Sequence, residues 1–140
     1  MKTKFLILPF IVFLVSCEVQ GDLTRDSAQI IPVPNTTSIL KHSGSFIPTS
    51  GISVSGQAKI YLDNAQYKLE LSNFSITTGP DLKVYLSKTD SPTDFVSLGN
   101  LTSSTVYLVP QNVAISDYKY VLIHCQQYNH LFAIAALTQN

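Results

Sequence analysis

The sequence has no net charge and few charged residues of either sign. Nine Lys and Arg side chains balance nine Asp and Glu side chains, and charged residues make up 13% of the 140 residues. Average soluble domains contain roughly 25% charged residues, and nucleic-acid-binding proteins usually carry a clustered basic face. The composition therefore argues against nucleic-acid binding. It predicts a surface of Ser, Thr, Asn, Gln and Tyr, which suits an extracytoplasmic β protein.

Cysteine is also scarce, and the usual cysteine, metal and nucleophile motifs are absent. The chain has two cysteines, Cys17 and Cys125, and no C-x-x-C, C-x-x-C-H or H-x-x-x-H spacing. A closed metal site usually needs three or four protein ligands, so His124, Cys125 and His130 are not expected to bind copper or zinc. The chain also lacks G-x-S-x-G and recognisable carboxylate pairs beside a histidine. We therefore expect neither an autonomous enzyme nor a bound cofactor.

The amino-terminal segment has the pattern of an export signal. Lys2 and Lys4 precede the apolar run 5–15, and this order matches the charged and hydrophobic regions of a secretory signal. As a helix, the run would be roughly 16 Å long against a hydrocarbon core of about 30 Å, so it is too short for a stable membrane anchor. Residues 1–16 are therefore predicted to be a signal peptide that is removed.

The end of this signal resembles a bacterial lipobox. Leu14, Val15 and Ser16 precede Cys17, in the order Leu, branched, small and Cys. The resemblance implies that Cys17 becomes the first mature residue, with a diacylglyceryl group on its sulfur and usually a further acyl chain, such as palmitate, on its amine. Two or three fatty chains anchor a protein firmly, whereas one is marginal. We therefore predict a lipoprotein anchored to a membrane of the cell envelope, either the inner or the outer membrane.

Residues 17–44 are predicted to form the lipidated amino terminus and a flexible tether. The segment is polar, contains two prolines and has no sustained period of 2 or 3.6 residues. As flexible coil it would reach about 30 Å. The apolar island at 30–33 is equally consistent with a short strand added to the edge of the domain.

Alternating hydrophobicity predicts a β-hairpin early in the domain that follows. Residues 54–62 and 67–71 alternate apolar and polar side chains on either side of a turn-forming Asp-Asn-Ala-Gln sequence at 63–66. The apolar positions change parity between Leu71 and Phe74. A β-bulge or a strand break is therefore expected near Ser72 and Asn73.

The rest of the chain predicts further strands and no helix. No stretch of helical period is long enough to matter, which argues against a βαβ arrangement. Residues 45–140 are therefore predicted to form one all-β domain, an antiparallel β-sandwich or jelly roll. Strands are expected at 82–86, 105–109, 118–125 and 131–138, with a loop between the first two.

Several short motifs occur in a fixed order through this domain. They are Gly44-x-Phe46, Val54-x-Gly56-x-Ala58, Asn73-Phe74, Gly79-Pro80-Asp81-Leu82, Val84-Tyr85-Leu86-Ser87, Tyr107-Leu108-x-Pro110, and the closing set Ile123-x-Cys125, Tyr128 and Phe132. In spacing and order this set resembles the DM13 domain family, although His124 stands where that family tends to have Trp. The resemblance implies a β-sandwich module, often found beside DOMON and cytochrome-type domains and suspected of electron transfer through its cysteine.

Cys125 has two interpretations. Alternation places it with Val121 and Ile123 on the apolar face of its strand, where a thiol packed among aliphatic groups is unreactive. The DM13 resemblance instead implies that Cys125 is a redox residue. If Cys17 is lipidated, no intramolecular disulfide can form, so Cys125 can only be oxidised alone, pair with another protein or bind a ligand.

Two further features also allow a structural and a functional interpretation. Asp81 is interpreted as a turn residue whose side-chain oxygen binds backbone N–H groups, in preference to a calcium ligand. Tyr61, Tyr85 and Tyr107 lie on the outward faces of the predicted strands. They are either solvated sheet positions or a recognition surface.

The sequence supports two hypotheses for function. In the first, a membrane-anchored envelope lipoprotein carries a DM13-like domain that acts as an accessory electron-transfer module, through Cys125, with a redox partner protein of the envelope. In the second, the domain is a non-redox ligand- or protein-binding or adhesion module, and Cys125 is a buried core residue. Accessibility of the thiol in the folded protein distinguishes the two hypotheses.

Overall fold

The computed structural model describes residues 37–140, which form an all-β domain. Within this range the one helical element is a 3-10 turn at Ile115–Asp117, and no helix there is long and apolar enough to cross a membrane. The strands are β1 (Ile39–Pro48), β2 (Val54–Asp63), β3 (Gln66–Ile76), β4 (Leu82–Ser87), β5 (Phe95–Asn100), β6 (Val106–Leu108), β7 (Tyr120–Cys125), β8 (His130–Ala136) and β9 (Thr138–Gln139).

The strands follow one antiparallel path that folds into two facing layers. Their order is β5-β4-β7-β8-β1-β2-β3-β6, with β9 paired to β1. β1 belongs to both layers, because its first part pairs with β2 and residues 46–48 pair with β8. The result is an antiparallel β-sandwich that is nearly closed into a barrel. The fold class predicted from the sequence is therefore confirmed.

Gly44 allows β1 to pass from one layer to the other. A Cβ atom at this position would lie 2.0 Å from the carbonyl oxygen of Ala136, closer than any side chain can approach. The pairing of β1 changes from β2 to β8 directly after residue 45, so the close approach falls at the crossing itself. A glycine is required here because the backbone at the end of β8 occupies the space of a side chain.

The predicted β2–β3 hairpin is confirmed. The two strands pair as far as Asp63 and Gln66, and Asn64 and Ala65 turn the chain with φ angles of 47° and 66°. Positive φ at both central residues is the type I′ geometry, whose twist matches that of the flanking strands. The turn residues therefore fix the register of this hairpin.

A β-bulge interrupts the hairpin where the sequence changes its apolar parity. Gly56 lies opposite both Asn73 and Phe74, because the register of the two strands shifts here. The φ angles of Gly56 and Asn73 are 105° and 50°. The extra residue brings Phe74 to the inward side of β3 together with Leu71. The bulge predicted between them is therefore confirmed.

The core lies between the two layers and is mainly aliphatic. Central side chains such as Ile60, Leu69 and Leu86 have no exposed surface. Their removal from water stabilises the fold by roughly 25 cal/mol per Å² of apolar surface. The other buried members of the core are Phe46, Ala58, Leu71, Leu82, Val84, Tyr107, Val109, Ile115, Val121, Ile123, Cys125, Phe132, Ala133 and Ala135.

Two strands lie where the sequence predicted none. β1 begins within the predicted tether, so residues 39–44 belong to the sheet and the predicted start of the domain at residue 45 is late. Polar residues and an irregularity between Leu40 and His42 conceal its alternation. β5 lies within the predicted loop. The sequence did not reveal it, because a register shift and the positive φ of Gly99 interrupt its period of two.

The other amino-terminal predictions lie outside the described residues. They are the signal peptide at 1–16, the lipidated Cys17 and the apolar island at 30–33. These statements remain predictions.

Gly56→Ala is expected to destabilise the domain by about 3 kcal/mol. Its φ of 105° disfavours a side chain, and a Cβ atom would lie 2.7 Å from the carbonyl oxygens of Ser72 and Asn73. Gly51→Ala is the matched control, because Gly51 has a φ of 80° but open space around it; its cost should be only about 1 kcal/mol. Urea unfolding measures the free energy of unfolding of both variants. Equal losses of stability in the two variants would contradict the steric argument.

Candidate functional site

Cys125 is the last residue of β7 and lies inside the sandwich. Because β7 runs between β4 and β8, Cys125 is paired with Leu82 on one side and His130 on the other. Its side chain has no exposed surface and belongs to the core together with Val121 and Ile123. The prediction that Cys125 lies on the apolar face of its strand is therefore confirmed.

Hydrogen bonds hold the backbone around this end of β7. The N–H of Gln126 donates to the carbonyl oxygen of Asp81 at 2.9 Å, and the N–H of Asn129 donates to the carbonyl oxygen of Gln126 at 3.2 Å. The first bond connects the chain after Cys125 to the loop before β4. The end of β7 is therefore held to the loop that supplies part of the cleft lining.

An open cleft of about 500 Å³ lies at the same end of the sandwich. Leu82 belongs both to the wall of this cleft and to the core, and it is the residue paired with Cys125. Leu82 therefore belongs both to the surroundings of the thiol and to the wall of the cleft. The other lining residues are Ile76, Thr78, Gly79, Pro80, Asp81, Asn100, Leu101 and Thr102.

Asp81 forms an ion pair in place of the turn contact expected of its side chain. Its carboxylate lies 2.8 Å from Nζ of Lys83, and the same ammonium group donates to the side-chain oxygen of Asn100. The Asp81 carbonyl, not its carboxylate, takes part in closing this end of the sandwich. The negative charge that lines the cleft is therefore balanced by a neighbouring cation.

His124 is directed away from the thiol, as the alternation predicts. It lies on the outer face of β7, where its ring stacks on Tyr85 with 5.5 Å between the centroids. The side chain is 5% exposed and its Nδ1 has no hydrogen-bond partner. Burial lowers the pKa of His124 below its ordinary value of 6.5, and the side-chain hydrogen bond with Asn129 opposes only part of this effect.

The three residues considered for a metal site are not brought together as a ligand set. Cys125 lies in the core, His124 on the outer face, and His130 at the exposed start of β8, where its ring contacts Phe132 edge-on at 5.4 Å. Across residues 37–140 no group of three His, Cys, Asp or Glu side chains is placed to hold a metal ion. The site therefore consists of one buried thiol beside a cleft.

An apolar row crosses the outer face of the β4–β7–β8 layer and has no counterpart in the sequence-based predictions. Tyr85, Leu122, Ile134 and Ile47 are paired in turn on β4, β7, β8 and β1, and Phe95 stacks on Tyr85 at 4.0 Å between centroids. Tyr85 and Leu122 are buried and Ile134 is partly exposed, whereas Ile47 and Phe95 at the two ends are exposed. The sequence of β7 could have revealed this row, because the strand has apolar residues on both faces. We call these five residues the outer apolar row.

The three tyrosines expected on outward faces take different positions. Tyr107 faces the core, and its hydroxyl donates to the carbonyl oxygen of Asn100 at 3.4 Å. The prediction that Tyr107 faces outward is therefore wrong. Tyr85 lies on the outer face but is only 3% exposed. Tyr61 is partly exposed beside Glu70, and burial, followed by this carboxylate, raises the pKa of Tyr61. The three do not form one solvated surface.

Acid is expected to destabilise the domain below about pH 6.5. Burial lowers the pKa of both His42 and His124, and Lys119 and Lys41 lower that of His42 further. The two histidines therefore bind protons more readily in the unfolded state than in the folded state. Their contribution to stability is fully present above the ordinary pKa of histidine and decreases as the pH falls. Free energies of unfolding at several pH values measure this effect. An unchanged pH dependence in the His42→Asn/His124→Asn variant would contradict the assignment.

Comparison with known families agrees with the sequence motifs. A family model described as "Electron transfer DM13" matches residues 46–137, more than half of the chain. The matched range includes Cys125, Leu82 and the whole lining of the cleft. Comparisons with curated proteins and with solved structures gave no match. The chain therefore belongs to the DM13 family, a family whose description is electron transfer.

Proposed function

We propose that this chain is a lipid-anchored protein of the bacterial cell envelope whose DM13 domain exchanges electrons with a partner protein through Cys125. The description of the matched family supports the redox part of the proposal. The observation that carries it to Cys125 is the pairing of this residue with Leu82, which also lines an open cleft. Within the described residues Cys125 is also the one free cysteine.

The partner supplies the cofactor in this proposal. A single thiol can be oxidised to a sulfenic acid, or it can form a disulfide with a sulfur of another molecule. Cys17 cannot provide the second sulfur once that sulfur carries a lipid. The domain therefore acts as an accessory module for a cofactor-bearing redox protein of the envelope, and it is not an enzyme on its own.

Acylation of Cys17 would determine where the domain acts. Several fatty chains on one residue hold a protein firmly at a bilayer. Confinement to the membrane raises the effective concentration of the domain for a partner held in the same membrane. The affinity of the domain for that partner can therefore be modest.

A second candidate function is binding or adhesion without electron transfer. It is favoured by the complete burial of Cys125 and by large apolar side chains at the surface, namely Ile47, Phe95 and Tyr128. Tyr128 lies in the turn after β7, and the other two are the exposed ends of the outer apolar row. Exposed apolar groups of this kind mark interaction surfaces when they are contiguous. In this case Cys125 contributes only packing.

Cys17→Ala is expected to release the protein from the membrane. Without a sulfur at this position the diacylglyceryl group cannot be attached, and residues 5–15 are too short to span the bilayer. Ser16→Ala, which keeps a small residue before the cysteine, is the control and should stay in the membrane fraction. Cell fractionation and gel mobility measure both. A Cys17→Ala protein that pellets with membranes at unchanged mobility would rule out the lipid anchor.

Cys125 is expected to be oxidised in the folded protein. Ferricyanide, a one-electron oxidant, should accept about two electrons per chain from the Cys17→Ala protein, because the thiol and one water molecule give a sulfenic acid and two protons, and none from the Cys17→Ala/Cys125→Ser protein. Circular dichroism of the two proteins shows whether the serine variant is folded. If ferricyanide is reduced only after the protein has been denatured, the redox proposal fails and the binding module is the better description.

A further inference from the structure

The outer apolar row lies on a face whose few charges are paired. Lys83 is the one Lys, Arg, Asp or Glu residue within β4, β5, β7 and β8, and its ammonium group lies 2.8 Å from the Asp81 carboxylate. His124, at the edge of the row, is uncharged near neutral pH because burial lowers its pKa. At the β5 end, Asp94 is paired with Lys88 at 3.6 Å. The face therefore presents no unpaired charge to another surface.

Large apolar side chains are exposed along this layer. Ile47 and Phe95, at the two ends of the row, are 64% and 38% exposed, and Tyr128 in the turn between β7 and β8 is 65% exposed. The Phe95 ring stacks on Tyr85 at 4.0 Å between centroids, so the aromatic surface continues from β5 to β4. Removal of such side chains from water is favourable. Contact with an apolar layer is therefore favourable at this face.

The row is too small for a stable dimer. Neighbouring strands lie about 4.8 Å apart, so a row across five strands is roughly 20 Å wide, and with the positions above and below it covers about 300–400 Å². A stable protein–protein interface needs about 800 Å² on each partner. Burial of Tyr85 and Leu122 in the middle of the row reduces the available surface further. A second copy of the chain would therefore be held only weakly by this face.

The proposed lipid anchor places a different apolar layer within reach of the row. Residues 18–36 separate the anchored Cys17 from the described domain, and as the predicted tether they would span roughly 25 Å. A domain of about 100 residues has a radius of gyration of about 13 Å. The tether is therefore about as long as the domain is wide, so any face of the sandwich can turn toward the bilayer. The polarity of the two faces then decides the orientation.

The opposite face of the sandwich is suited to water. The outer face of β2 and β3 carries Lys59 and Glu70, together with Lys68 paired to Asp63 at 2.8 Å. Charged side chains are costly to remove from water. Tyr, by contrast, is enriched at membrane–water interfaces, and Phe and Leu form the apolar side of helices that lie in this interface. The two layers therefore differ in the way that a domain lying on a bilayer requires.

We propose that the outer apolar row rests on the bilayer that holds the acylated Cys17, with Ile47 and Phe95 entering the interfacial layer of the lipid. The inference rests on the lipid anchor of the proposed function and is independent of the redox role of Cys125. Because the face has no unpaired charge, its contact with lipid requires no anionic headgroup. The β2–β3 face then points toward the aqueous compartment.

A single fluorescent reporter can be placed on either face, because the sequence contains no tryptophan. Phe95→Trp places it at the end of the row. Tyr61→Trp, which replaces a partly exposed aromatic residue of β2, is the matched control on the opposite face. Each full-length protein is acylated by the cell, purified from membranes and reconstituted into phosphatidylcholine vesicles with brominated acyl chains. Both proteins are held by the same anchor, so a difference in quenching reports orientation alone.

We expect brominated lipid to quench the Phe95→Trp emission at least about twofold more than the Tyr61→Trp emission, because only the first reporter enters the lipid. Addition of phosphatidylglycerol should leave this ratio unchanged, since no cationic patch takes part. In the Phe95→Trp protein, Ile47→Asn should lower the quenching. Leu108→Asn, at an exposed leucine of β6 in the other layer, should not. Circular dichroism shows whether each variant is folded.

The outcomes separate this inference from the proposed function. Equal quenching of the two reporters in vesicles that carry the acylated protein would overturn the inference and leave the anchor in place. A Phe95→Trp emission that brominated lipid does not quench, but that shifts to shorter wavelength as the protein density rises, would overturn it in favour of contact between two copies. A purified protein whose mass shows no acyl chain would contradict the anchor, and with it the reach that this orientation requires. Oxidation of Cys125 by ferricyanide is independent of all three results.

Discussion

The pairing of β7 between β4 and β8 is the constraint on which the candidate site depends. This register turns Cys125 into the core and His124 to the outer face. A slip of one residue would exchange the two side chains, because neighbours in a strand point to opposite faces. The bulge of β8, between the partners of Ile123 and His124, adds Phe132 to the core beside Gly79. The same pairing thus builds both the burial of the thiol and the wall of the cleft.

The two layers of the sandwich have outer faces of different polarity. The outer face of β2 and β3 carries Lys59, Glu70 and the pair formed by Lys68 and Asp63, whose charged atoms are 2.8 Å apart. The outer face of β4, β7 and β8 carries the outer apolar row. The outer side of β4 also carries one charged pair, Lys83 with Asp81, beside the apolar row. The second layer is therefore the one suited to contact with another surface.

A buried thiol and a redox function are compatible if exposure of the thiol is brief and local. Packing among aliphatic side chains keeps Cys125 away from water in the closed sandwich, and a thiol reacts only when it is reached and deprotonated. A side chain that rotates opens such a site without the cost of unfolding the sheet. Leu82, which is shared by the core and the cleft, is the residue paired with the thiol.

Local pattern was sufficient to predict the all-β class, the β2–β3 hairpin, the bulge near Asn73 and the inward direction of Cys125. Each depends on side-chain alternation or turn chemistry within a few residues, which the sequence carries directly. β1 and β5 were missed because bulges and polar residues interrupt their alternation. The inward Tyr107 was missed because its face depends on the pairing of β6 with β3.

The sequence by itself determined which strands exist around Cys125 and which face of β7 the thiol occupies, because both follow from a period of two. Only the tertiary structure decided that Leu82 is the residue opposite the thiol. It alone placed residues from β3, β4 and the chain after β5 around one cleft. These relations join residues that are distant in the chain, so they depend on strand order and register, which no local pattern specifies.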